Sequence, residues 1–242
     1  SDLERILDKV TKLAEDAKKL AKKSVDLHRD NIRRLKTTLK RILESLRKAI
    51  KRLKDALRRG PRSERVDTLI RRIDKLIKEL EDEVREIERR IDELSRRLEE
   101  KYKEVIKRID KLVKDLRDLA RRGVDRKDLV REILRILREI IETLRRLDEE
   151  VLKVNEEILD LIEELVRSIL KVLEEILRLL VEETGPSEEL EELKRDLDRL
   201  FEKIRTDLKR LRDTNRKLFD DLRKEHEAVE DKVRRVAEEL TK

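Results

Sequence analysis

The chain contains no cysteine, methionine, tryptophan or glutamine, and its only aromatics are one tyrosine and two phenylalanines. Without cysteine there is no disulfide, no thiolate nucleophile and no thiolate metal ligand. Glycine occurs three times and proline twice in 242 residues. That excludes the glycine-rich loops that cradle phosphates and shape clefts. No run approaches the roughly 18 apolar residues of a membrane span, and no signal peptide is visible. The expectation is a soluble protein without a targeting signal, cytoplasmic in an expression host. Charge of one sign is lacking too. The 67 basic residues are interleaved with 60 acidic ones, leaving a net charge of +7, which describes a solvated surface of mixed sign.

What remains is charge and aliphatic carbon. Charged residues make up 52% of the chain, about twice the share in an ordinary globular protein. Apolar residues still reach 37% and recur with helical spacing, the signature of long helices. All five glycines and prolines fall in three short segments: Arg59-Gly60-Pro61-Arg62-Ser63, Arg122-Gly123-Val124-Asp125 and Thr184-Gly185-Pro186-Ser187. Each sets Gly where a helix C-cap needs a left-handed residue, then Ser or Asp to cap the next helix. Ser1-Asp2-Leu3-Glu4 has capping-box spacing, and Asp125 with Asp128 resembles one.

The fold expected is all-α, a single domain over 1–242, with helices at about 2–59, 63–122, 125–184 and 187–241. At helical rise each would run roughly 85 Å. Connections this short force an antiparallel up-down-up-down four-helix bundle. The apolar stripe of the first helix (Leu3, Leu7, Val10, Ala14, Ala17, Ala21, later Ile32, Leu35, Leu39) drifts slowly. Its period lies slightly above 3.5 residues, which implies a weak left-handed supercoil.

Rare polar types fall on these stripes. The three asparagines, Asn31, Asn155 and Asn215, all do so, as do His28, His226 and Tyr102. Antiparallel register puts partners in the first two helices at numbers summing to about 122, in the second and third to about 247, and in the last two to about 370. Ser24, His28, Asn31, Ser95, Asn155, Thr214 and Asn215 then collect at one level. Tyr102, Thr143 and His226 collect two to three turns nearer the first helix's N-terminus. Unpartnered buried polar groups cost on the order of 1–3 kcal/mol. Matched in height, they satisfy one another and penalise every slipped register.

A catalytic or metal site is the competing reading. A Ser–His–carboxylate relay needs an orienting acid, a cleft and an oxyanion hole, and the acids near the stripe, such as Asp148, stand isolated. A metal wants several converging His or carboxylates, whereas the two histidines differ in height by roughly 15 Å. No catalytic residue, metal, cofactor or small-molecule substrate is therefore expected, and the chain is not read as an enzyme. Equal helices, Gly/Pro loops, a Leu/Ile core, Glu/Lys/Arg surfaces and layered Ser/Asn/His/Tyr clusters resemble computationally designed helical bundles with buried hydrogen-bond networks. The resemblance spans the whole chain and implies a scaffold serving assembly, switching or partner specificity.

The third helix departs from that pattern. Large aliphatics and Phe number 17, 19, 28 and 15 in the four segments, while a bundle helix needs apolar residues at only about three of seven positions. One reading is a sturdier, more central helix. The other is an exposed stripe, with Ile136, Ile140, Leu159, Val166 and Leu173 as candidate interface, closed by a second copy of the chain or a designed helical partner. The first helix carries 20 basic and 9 acidic residues and the third 11 and 17, a contrast that suits pairing between copies. A groove on the third helix that takes up an amphipathic helix is the alternative function. Lys18, Lys19, Lys22, Lys23, Arg29, Arg33 and Arg34 form a basic stretch without aromatic platforms, so no specific nucleic acid is expected.

Overall fold

The computed structural model describes residues 2–242, so the capping box expected at Ser1 lies outside the described residues. The described chain is four α-helices without a strand: α1 Asp2–Arg59, α2 Glu64–Arg121, α3 Arg126–Thr184 and α4 Glu188–Thr241. The three breaks between them fall where the sequence places glycine followed by a Ser or Asp. Ser63 Oγ accepts the Val66 N–H and Ser187 Oγ accepts the Leu190 N–H, each at 3.2 Å, which satisfies donors the first turn leaves free. Gly123 and Gly185 are left-handed, with φ of 69° and 74°. Gly60 is not, so the expectation of three left-handed caps is corrected to two. Gly60 precedes Pro61, and the proline ring disfavours helical geometry at that residue by itself.

The chain divides into two compact units, each built from a stretch of all four helices. The first comprises the chain to Asn31 with Glu93–Asn155 and Asn215–Lys242; the second comprises Ile32–Asp92 and Glu156–Thr214. Ion pairs fix the helix directions inside each. In the first unit Lys18 meets Asp110 and Arg29 meets Glu99, so α1 and α2 are antiparallel. Arg108–Glu139 and Lys101–Glu150 set α2 against α3 in the same sense. In the second unit Lys36–Asp92 and Lys54–Asp74 repeat the α1–α2 relation, and Arg90–Glu157 with Arg72–Glu175 repeat that of α2 and α3.

The four helices do not share the core equally. Among the described residues the buried apolar side chains number eighteen on α1, twelve on α2, twenty on α3 and eleven on α4. In the first unit Ser24 bonds Asp148 at 3.0 Å and His28 bonds Asn155 at 2.9 Å. Hydrogen bonds this short put α1 and α3 in contact, and the paired numbers rise together, so these two helices are parallel. They occupy the short diagonal of the cross-section, and α2 and α4 lie outside it. Buried alanines on α1, at 14, 17 and 21, leave room for larger side chains opposite. The second unit has the same imbalance in burial.

The surplus on the third helix thus has a physical account. A helix on the short diagonal touches three neighbours rather than two and needs a wider apolar arc. Ile136, Ile140, Leu159, Val166 and Leu173 are each at most 3% exposed. Among the described residues no large hydrophobic side chain is exposed. The expected interface stripe is corrected accordingly: these five residues pack inside their own chain.

Candidate functional site

Among the described residues the buried polar side chains are Ser24, His28, Asn31, Thr38, Asn155, Asn215 and His226. All but Thr38 belong to the first unit. They reach the core because their spacing on each helix is that of the apolar stripe: Ser24, His28, Asn31 and Leu35 follow one another at three- or four-residue steps.

Two joints can be built from these residues. The first centres on His28, 1% exposed. Its Nδ1 accepts a hydrogen bond from Asn155 Nδ2 at 2.9 Å, and its Nε2 lies 3.2 Å from Ser95 Oγ. Asn155 Nδ2 also donates to the Val151 carbonyl at 2.7 Å. With two acceptors at Nδ2, the amide orientation is fixed, and the proton of the neutral imidazole must sit on Nε2, where it donates to Ser95. One ring thereby ties α1, α2 and α3 together. Burial drives the His28 pKa down to about 4, against smaller upward pulls from the Asn155 bond and Glu99. Glu99 itself is held below the usual carboxylate range, chiefly by its bonds to Arg29.

The second joint centres on Asp148. Its Oδ1 accepts the Ser24 hydroxyl at 3.0 Å, and its Oδ2 lies 2.8 Å from His226 Nε2, at an angle too bent for a regular hydrogen bond. Asp148 is therefore not isolated: it joins α1, α3 and α4. Sequence reasoning saw it near the stripe and missed its role. The available signal was its position one heptad before Asn155, on the same face of α3. His226 accordingly shares a level with Ser24 and Asp148.

Other expected members do not join. Thr214 is exposed, because it lies one residue off the stripe that buries Asn215. Tyr102 and Thr143 are only half-buried, and among the described residues neither hydrogen-bonds to His226. Asn31 and Asn215 are buried at the expected level, yet the Nδ2 atoms of both, and Asn155 Oδ1, have no protein partner.

Chemically the arrangement is limited. Ser24 donates straight to a carboxylate, with no imidazole interposed to take its proton, and its side chain is fully buried. A nucleophilic relay needs the opposite order and an open approach. Among the described residues no group of three or more His, Asp or Glu is placed to hold a metal ion, and no helix is long and apolar enough to cross a membrane. Along the α3–α4 seam of the second unit runs a groove of about 680 Å³. Its floor (Val166, Leu170 and Leu208) is almost fully buried and its rim is charged, so it offers little apolar area to an incoming helix. On the basic stretch of α1, Lys18, Lys23 and Arg29 already face Asp110, Glu225 and Glu99.

Fold and site together define an all-α four-helix protein with two buried polar joints in one of its units. No family model matches the chain, and neither the curated proteins nor the solved structures yield a match.

Proposed function

We propose that the chain is a structural scaffold of the designed-bundle type, in which the buried polar joints specify helix register. The observation that carries this is the His28 joint. A single imidazole is held by Ser95 of α2 and Asn155 of α3 at one height. Sliding any of the three helices by one turn moves partners about 5.4 Å apart and strands buried donors and acceptors at about 1–3 kcal/mol each. An apolar core alone gives a weaker preference among registers, since aliphatic side chains pack in more than one way. Self-association through α3 is not part of the proposal, because the residues that suggested it are spent inside the chain.

The test is the double variant His28→Leu/Asn155→Leu, with spin labels at exposed sites on α1 and α3. The proposal expects a folded helical protein of similar or greater stability with a broadened or split α1–α3 distance distribution. A single distribution identical to that of the parent chain would overturn it.

A further inference from the structure

Among the described residues, six of the seven buried polar side chains, and both histidines, lie in the first unit. So do all four buried side-chain atoms without a regular hydrogen bond: Asn31 Nδ2, Asn155 Oδ1, Asn215 Nδ2 and His226 Nε2. The second unit holds one buried polar side chain, Thr38, in an otherwise apolar core. The two units thus differ in kind, one wired and the other greasy.

The two histidines differ as well. His226 lies against the Asp148 carboxylate, with Glu230 of its own helix, itself bound by Arg145 of α3, close enough to feel the ring's charge. His28 has no such partner in contact. Ser95 of α2 and Asn155 of α3 are neutral; Glu99 of α2 favours the charged ring from a distance but is engaged by Arg29, which opposes it, and no ionised group of α3 or α4 acts there. The geometry at Nδ1 is more specific still. A proton on Nδ1 would point at Asn155 Nδ2, setting donor against donor across 2.9 Å. Turning the amide over to present Oδ1 would set that oxygen against the Val151 carbonyl, which now accepts from Nδ2 at 2.7 Å. Neither rotamer of the amide serves both neighbours once the ring is charged.

We infer that His28 is an acid-sensitive latch: a proton on its Nδ1 breaks the α1–α3 joint and opens the first unit while the second stays folded. This goes beyond the scaffold proposal and does not depend on it, because register at neutral pH and opening in acid are read by different measurements. Burial lowers the folded-state pKa to about 4 from the ordinary 6.5. For a depressed histidine the unfolded state binds more protons, so the stabilisation is present above pH 6.5 and is lost as pH falls toward 4. Between pH 7 and pH 4.5 the opening constant of the first unit rises about fifty-fold from this ring alone. Carboxylates with lowered pKa, such as Glu99 and Glu230, lose most of their contribution below pH 4.5 and at that pH weaken the first unit by at most about twofold each, against the larger effect of this ring.

Hydrogen exchange read by mass spectrometry on the full chain at pH 7 and pH 4.5, corrected for intrinsic exchange, tests the latch. Peptides from 10–25, 98–116, 133–151 and 219–236 should lose protection about fifty-fold, and those from 39–57, 66–84, 158–180 and 190–208 less than about threefold. Equal loss in both units, no loss in either, or earlier loss in the second would overturn the inference. His28→Gln should shrink the acid response of the first unit to a few-fold, and a full response in that variant would equally overturn it. Should His28→Gln prove unfolded, His226→Gln gives the second reading: it leaves the response in place if His28 is the latch and abolishes it if the latch is misassigned.

Discussion

Leu173→Glu distinguishes a core position from an interface position on α3. Leu173 is fully buried in its own chain. Removing the leucine forfeits about 1.5–3 kcal/mol of transfer free energy. The incoming carboxyl then either ionises in an apolar site or stays protonated. Staying protonated at pH 7 against an ordinary pKa near 4.3 costs about 3.7 kcal/mol. The expected destabilisation is therefore about 5–7 kcal/mol, with the about 2–5 kcal/mol of a Leu→Ala cavity as the figure for the milder Leu173→Ala. A matched control sits six residues away: Leu179 is only partly buried, and Leu179→Glu should cost about 1 kcal/mol or less because its carboxylate reaches water. Urea titrations followed by circular dichroism give the stabilities, and light scattering coupled to size exclusion gives the mass of each variant. If Leu173 served an interface, Leu173→Glu would lower the mass and leave the midpoint of the subunit unchanged. That pair of results would refute the placement of Leu173 in the core of its own chain.

The joints and loops carry further expectations. Asp148→Leu removes the acceptor of Ser24 and the neighbour of His226, leaving two buried polar groups unpartnered, and should cost about 2–5 kcal/mol by urea titration; Asp148→Asn keeps an acceptor oxygen for Ser24 and should cost less than half as much. Gly185→Ala places a side chain on a left-handed residue and should cost about 1–2 kcal/mol. The same change at Gly60, which is not left-handed and whose added Cβ would meet Thr184 Cγ2 at an ordinary 3.4 Å, should fall within about 0.5 kcal/mol. Raising NaCl from 0.1 to 1 M should shift the stability by little, since the ion pairs are exposed and each contributes about 0–1 kcal/mol; a loss above about 4 kcal/mol would mean that the surface charges hold the bundle.

The helices were legible in the sequence because their signals are local. Gly60, Gly123 and Gly185 with their following caps bound every element, and the aliphatic periodicity identifies its type. The register was legible too, since short loops convert residue number into height: His28 with Ser95 and Asn155 follows from arithmetic on loop positions. What was not legible depends on rotation about each helix axis and on which helices take the diagonal. Thr214 and Asn215 are neighbours in number but one faces water and the other the core. The pairing of Asp148 with both Ser24 and His226 requires α1 to touch α3, and two four-helix arrangements with opposite diagonals share the same sequence pattern. The same ambiguity made the apolar surplus of α3 readable either as an outer stripe or as a wider inner arc.

The contact between α1 and α3 has a consequence for how the chain reaches its final form. Ser24 and Asp148 are 124 residues apart in sequence, and His28 and Asn155 are 127 apart. The turns after Arg59, Arg121 and Thr184 instead bring neighbouring helices together through a handful of residues. Closing a long segment is entropically dearer than closing a short one, and distant contacts are correspondingly slow. Hairpins should therefore form first, and the α1–α3 seam should close last, at the step where the two hairpins meet. The polar joints lie on that seam, so misaligned hairpins are discriminated at the rate-limiting encounter, and mutations at His28 or Asn155 should alter the late phase of refolding while sparing the early one.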